Sequence, residues 1–206
     1  MLLDIYVNTN TTKGQVINMK LKSDSYKSGQ KSLSKNEYAK IISVIDNLED
    51  ELLIKLAIST GIRREDLCSI KISNINLDDS ILTFHESKKN LDRRIYLNSD
   101  IVLLIRKFLK TQDKRPKLFS FTGRTAYRHL NHWCVLAGIP ERPFHALRAT
   151  CVKFCQQAGW SASEVSDLTG DSLRVIQEHY AVPSDGEMRE AVQKKVIIWK
   201  LNSKKQ

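Results

Sequence analysis

The stretch "SILTFHESKKNLDRRIYLN", Ser80–Asn98, is where the period of the chain changes. "SILTFHES" and "RRIYLN" are rich in β-branched and aromatic residues, and the polar "KKNLD" lies between them. The pattern predicts a β-hairpin whose turn carries Lys88 and Lys89. "ISNI", Ile72–Ile75, is a candidate third strand. On both sides of this region the apolar residues recur at helical spacing, so the fold class is mostly α with a small antiparallel β-sheet.

Upstream, Ser34 is a candidate N-cap, and Tyr38, Ile41, Ile42, Ile45 and Leu48 form one apolar stripe. A second helix covers "DELLIKLAIST" and stops at Gly61, and "REDLCSI" adds a further helical turn. Downstream, Ile101, Leu104, Ile105 and Phe108 mark a helix that starts at Ser99. "TGRTAYRHLNHWCVLAG" is the next helix, ending at Gly138. "PFHALRATCVKFCQQAG" follows, with proline near its first turn and Gly159 at its end. Ser161 and Glu164 make a capping box, and a last core helix runs through "SLRVIQEHY".

The ends differ from this middle. Residues 1–31 read as a polar lead or linker with one short strand, "QVINMKL"; residues 32–186 hold the folded domain; residues 187–206 form an amphipathic tail helix with Met188, Val192, Val196 and Trp199 on one side.

Composition limits the function classes. Apolar residues make up 41% of the 206, enough for a real core, and 33 Lys+Arg against 23 Asp+Glu leave a net charge of +10. Such an excess suits an anionic partner, nucleic acid first, although many surfaces are simply basic. The cysteines, Cys68, Cys134, Cys151 and Cys155, form no C-x-x-C pair, which argues against a zinc ribbon and for reduced thiols in an intracellular protein. "MLLDIYVNTN" lacks the features of a signal peptide, and "IVLLI" and "VIIW" are too short to span a bilayer. The expectation is a soluble, cytoplasmic protein with no membrane contact.

Five residues could carry chemistry together. His145 and Arg148 are i and i+3 on one helix and share a face. Arg63 follows a glycine stop on a short connection, where ligand groups often sit. Lys88 lies at the hairpin tip, and Tyr180 ends a helix ahead of "AVPSDG". Each also has a plain reading: a satisfied polar pair, a solvated arginine, a surface lysine, a core-edge tyrosine. No acidic cluster with metal-ligand spacing accompanies them. Phosphoryl transfer without a metal needs such a set: two guanidinium forks for the phosphate, a base for the phenol and an acid for the leaving alkoxide.

In four places the chain resembles the tyrosine recombinases, the phage-type integrase family, over roughly residues 32–186. "TGIRREDLCSIKISNI" resembles the family's first arginine box and places the first catalytic arginine at Arg63. "ESKKNLDRRIYL" resembles the hairpin with the catalytic lysine, at Lys88 with Lys89 second. "FHALRAT" resembles the H-x-L-R box, giving His145 and Arg148. "LTGDSLRVIQEHY" resembles the last box, in which the tyrosine follows a glycine by ten residues, as Tyr180 follows Gly170. One position departs from the family. His or Trp usually stands directly after that glycine and donates to the scissile phosphate, whereas this chain has Asp171, which cannot donate when ionised. His179 is a candidate substitute.

The resemblance implies the recombinase catalytic-domain fold and a site-specific DNA recombinase or integrase. It implies that Tyr180 attacks a phosphodiester to form a 3′-phosphotyrosyl link, that Arg63 and Arg148 hold the phosphate, that Lys88 protonates the leaving 5′-oxygen, and that His145 moves the tyrosine's proton. It implies type IB topoisomerase-like chemistry with no cofactor, metal or ATP. It also implies double-stranded DNA as partner and a homo-oligomer, a tetramer on DNA joined through the tail, from a monomer off DNA. The family usually clamps DNA with an added N-terminal helical domain, for which residues 1–31 are too short, so the chain is either a catalytic fragment or a compact member. A non-catalytic DNA-binding protein with the same fold, favoured by Asp171, and a basic helical scaffold are the competing readings.

Overall fold

The structure is a computed structural model and describes residues 32–112 and 115–180, apart from the side chains of His179 and Tyr180. The polar lead, its "QVINMKL" strand and the tail helix lie outside the described residues.

Helix α1 (Lys35–Val44) opens with a full capping box: Ser34 Oγ accepts from the Glu37 N–H, and Glu37 accepts from the Ser34 N–H at 2.8 Å. The stripe read from sequence spans two helices. Val44 ends α1, Ile45 is extended, and Leu48 opens α2 (Leu48–Thr60) behind the Asn47 cap. A stripe of 3.6 periodicity does not see this break, because both segments face one core. Helix α2 is buried over most of its surface, with Leu52, Leu53, Ile54, Leu56 and Ala57 in the core and the Glu51–Lys55 pair on its partly exposed side. It packs against the helices α4 (Ser99–Lys110), α5 (Gly123–Leu136) and α6 (His145–Gln157). The short α3 (Arg64–Cys68) follows α2 directly.

The sheet has three antiparallel strands in the order β1 (Ile75–Asn76), β2 (Ile81–Glu86), β3 (Leu91–Tyr96). In register, Leu82 faces Ile95, Phe84 faces Arg93 and Glu86 faces Leu91. Leu82, Phe84 and Glu86 alternate onto the buried face. The turn is tighter than "KKNLD" implied, because Leu91 and Asp92 already pair with β2 and leave residues 87–90 to reverse the chain. Asn90 takes φ 51°, which its side chain tolerates. The "ISNI" strand is only its last residue plus Asn76; Ile72–Asn74 is a 3-10 turn.

Pro143 lies before α6 rather than inside it: Phe144 is the N-cap and His145 is the first helical residue. Helix α7 (Ala162–Thr169) has the expected capping box at Ser161 and Glu164 and ends at Gly170, φ 75°. The last helix is not continuous. After α8 (Leu173–Val175) the chain takes a π-helical turn, Ile176–Tyr180, so side-chain directions beyond Ile176 differ from those of a 3.6-residue period. Ile176 is fully buried against Ala149, Val152 and Val165, a small second core that holds this turn on α6 and α7. The four cysteines are unpaired. Among the described residues no helix is long and apolar enough to cross a membrane.

Candidate active site

The site forms where three helix ends and the hairpin tip meet. Gly61, at φ 64°, turns the chain sharply after α2, so that Arg63 caps α3 from an extended backbone. Its Nη1 donates to Glu86 Oε1 and its Nη2 donates to Asp171 Oδ1 at 3.2 Å.

Arg148, on the first turn of α6, is almost wholly buried, and every nitrogen of its guanidinium is engaged. Nη1 donates to the Gly61 carbonyl, Nη2 donates to the Thr169 carbonyl at 2.8 Å, and Nε donates to Asp171 Oδ2 at 3.0 Å. Nη2 also lies 2.7 Å from Asp171 Oδ1. The two carbonyls belong to the C-terminal ends of α2 and α7, where unpaired carbonyls and the helix dipole favour a cation.

Asp171 therefore sits between Arg63 and Arg148. Its backbone is held as well: its N–H donates to Thr169 Oγ1 at 3.3 Å, and its carbonyl accepts from Ser166 Oγ at 2.6 Å. Burial raises the carboxyl pKa, but the Arg148 hydrogen bond and the charges of Arg148 and Arg63 more than offset this and hold it below its ordinary value.

The hairpin is tied to both sides. Asp66 of α3, itself buried, accepts from the Ser87 N–H at 3.2 Å and from Ser87 Oγ at 2.5 Å, which fixes the start of the turn. The next residue, Lys88, is exposed and has no ion pair with a described residue. Lys89 Nζ donates to the Gly170 carbonyl. Glu86 is 1% exposed; its Oε2 lies 3.5 Å from Arg93 Nη1 and has no hydrogen bond among the described residues. Arg93 reaches across to the carbonyls of Asp167 and Leu168 at the end of α7. Burial and the charges of Arg148 and Arg63 lower its pKa, and Glu86 acts the other way. Gly170 is required by its backbone, φ 75°, and a Cβ there would also meet the ends of two side chains, Arg93 Nη1 at 2.5 Å and Glu86 Oε2 at 2.9 Å.

A cleft of about 560 Å³ opens beside this network, lined by Arg63, Asp66, Ser87, Lys88, His145 and Arg148 among others. His145 shows an open face to solvent. The protein around it still displaces enough water to lower its pKa, and the charges of Arg148, Arg63 and Lys88 push the same way while Asp171 opposes them.

Of the residues singled out from sequence, Arg63, Lys88, His145, Arg148 and Asp171 come together at the cleft and its arginine wall. Lys89 is turned to the Gly170 carbonyl instead. Tyr180 ends the π turn in sequence position; its side chain and that of His179 lie outside the described residues. Sequence reading missed the Glu86–Arg93 pair. A signal for Glu86 was present, since period-2 alternation places it on the same inward face as Leu82 and Phe84, where a carboxylate needs a cationic partner.

A sequence profile of the phage integrase family matches residues 31–185. The chain belongs to that family. Among relatives of this phage integrase family member, tyrosine recombinase XerA of Pyrococcus horikoshii is 29% identical over 182 residues, covering 84% of this chain and 64% of that protein. XerA of Saccharolobus solfataricus is 28% identical over 140 residues, or 68% of this chain and 48% of the relative. A tyrosine recombinase of Agathobacter rectalis is 35% identical over 172 residues, 74% and 53% of the two chains. The family member thus spans between about half and two-thirds of the length of these relatives. A crystal structure of XerA recombinase superposes with a TM-score of 0.70 at 22% identity, over 79% of this chain and 64% of that one. A lambda integrase dimer bound to a core site gives 0.62 at 22% identity, over 75% and 49%. The family member has the tyrosine recombinase catalytic-domain fold.

Proposed function

We propose that residues 32–186 are the catalytic domain of a site-specific DNA recombinase that cuts and rejoins DNA through a 3′-phosphotyrosyl intermediate. The observation that carries this reading is the convergence of Arg63 and Arg148, from two different helix ends, on one carboxylate beside a cleft that also holds Lys88 and His145. Two guanidinium groups aimed at one anion are what a phosphodiester in an in-line displacement requires.

The steps balance without an outside energy source. The Tyr180 oxygen attacks phosphorus, His145 in its neutral form takes the phenol proton, and the bond from phosphorus to the 5′-oxygen breaks. Lys88 delivers a proton to that oxygen. A 5′-hydroxyl of a partner strand then attacks the phosphotyrosine, tyrosine leaves, and one phosphodiester has replaced another. Neither metal nor ATP is consumed in this scheme, and relaxation of supercoils follows if the original 5′-hydroxyl returns. The net charge of +10 supports double-stranded DNA as substrate. Structural relatives include a lambda integrase tetramer bound to a Holliday junction, which supports assembly on DNA; in this reading the chain is a monomer off DNA and residues 187–206 join the copies.

One observation favours a second reading, a DNA-binding protein that keeps the fold without cleavage: Asp171 fills the space between the arginines. The experiment is a pool of nicked suicide duplexes with randomised arms, incubated with the full chain and with Tyr180→Phe. Covalent adducts on a denaturing gel, absent from the phenylalanine variant, support recombination. DNA binding with no adduct from either protein supports the second reading.

A further inference from the structure

The Arg148 guanidinium has two usable edges. Its Nη1 side is bound to the Gly61 carbonyl. The other, formed by Nε and Nη2, is a fork matched to two oxygens of one anion. Asp171 fills that fork, with Oδ2 at 3.0 Å from Nε and Oδ1 at 2.7 Å from Nη2, and Oδ1 lies 3.2 Å from Arg63 Nη2 as well. A carboxylate and a phosphodiester offer guanidinium groups the same thing, two oxygens sharing one negative charge. They cannot both hold the fork.

We propose that Asp171 is an internal occupant of the phosphate seat, a side chain that has to leave the Arg63–Arg148 fork before a phosphodiester is gripped there. The identity of that phosphodiester rests on the recombinase reading; the anion seat does not.

The seat is built into the fold. Arg148 is 3% exposed and is placed by backbone carbonyls of α2 and α7, so it stays when the carboxylate goes. Asp171 is held ionised by the same arginines and is 11% exposed, so it can move toward solvent. Lys89 holds the Gly170 carbonyl, so in this proposal a phosphate that draws Lys89 away removes one of the ties beside Asp171, whose own N–H and carbonyl stay bound to Thr169 and Ser166. An occupant that holds its seat for about nine-tenths of the time weakens the apparent affinity of a competitor about tenfold.

The test uses inorganic phosphate as the probe, titrated at neutral pH and low salt into the full chain, Asp171→Asn and Asp171→Ala. Calorimetry should show phosphate binding about tenfold tighter in the variants. Adding Arg63→Gln to Asp171→Ala should remove the gain. Equal affinity in all three proteins, or no phosphate binding by any folded variant, overturns the proposal. If neither variant folds, the wild type decides. Phosphate should then shift the Arg148 Nε–H and Asp171 carboxyl resonances together, and an Arg148 shift with Asp171 unmoved overturns displacement. No DNA enters this experiment, so a failure of the recombinase reading, seen as missing adducts, leaves it standing and is told apart from it.

Discussion

Replacing Glu86 with glutamine removes a charge and an acceptor while keeping the shape of the side chain. Glu86 is 1% exposed, with Oε1 accepting from Arg63 and Oε2 3.5 Å from Arg93 Nη1. A glutamine has one acceptor oxygen, so whichever way the amide is turned, its NH₂ faces a guanidinium and one pair is lost. Breaking a fully buried ion pair from one side costs about 3–5 kcal/mol. The Arg63 side chain is 23% exposed and that of Arg93 12%, so water recovers part of the lost solvation. The expected loss is therefore about 2–3 kcal/mol, the range of a charged hydrogen bond left unmade at a partly wet site. Urea unfolding at neutral pH measures it. Cleavage should fall further than DNA binding, because Arg63 loses the contact that aims it. A double-mutant cycle with Arg93→Gln should give a coupling of about 1 kcal/mol or more. A Glu86→Gln loss under about 0.5 kcal/mol, the size of an ordinary surface substitution, would refute the reasoning.

Gly61→Ala should cost about 2–3 kcal/mol in the same unfolding assay. Its backbone sits at φ 64° and the new Cβ would lie 2.9 Å from Thr169 Cγ2 and 3.2 Å from Cys151 Sγ. Lys88→Ala should fail on ordinary DNA and recover on a substrate with sulfur at the 5′-bridging position, which leaves without protonation. Recovery in Lys89→Ala instead would move the role by one residue. The pKa of His145 is held below its usual 6.5, so the imidazole is neutral at pH 7 and can accept the tyrosine proton. Cleavage should be flat near pH 7 and fall on acidification below 6.5, as the imidazole becomes charged. A rate that rises between pH 7 and 6 would show that the charged form is the active one.

The elements were largely legible because their signals are local. Ser34, Gly61 and Ser161 each mark a helix end through chemistry within a few residues, and the structure puts ends there. The π turn was not legible, since "SLRVIQEHY" satisfies a helical period up to the residue where Ile176 is drawn into its own core. In the site, the first three boxes pointed to Arg63, Lys88, His145 and Arg148, which do gather, while the Tyr180 side chain named by the fourth lies outside the described residues; and boxes are read one at a time. Glu86 and Arg63 are 23 residues apart, and Arg148 reaches Gly61 across 87. Such pairings depend on how α2, α6 and the hairpin dock. Asp171 shows the limit most clearly. Its chemistry, a carboxylate that cannot donate, was legible; its place between two arginines was not.

The carbonyls that hold Arg148 have a bearing on how copies of this gene decay. The guanidinium joins the ends of α2 and α7 from inside the protein, so a chain that loses it loses a tie between two helices along with an anion contact. Such a chain should be less stable and so more open to cellular proteolysis. Lys88 is exposed and bonded to no described residue, so a chain that loses it keeps every tie described above. Degenerate copies that still accumulate as protein should therefore carry lesions at the hairpin tip and keep the arginine of α6. Survival of that arginine in a copy is then a mark of folding, not of activity.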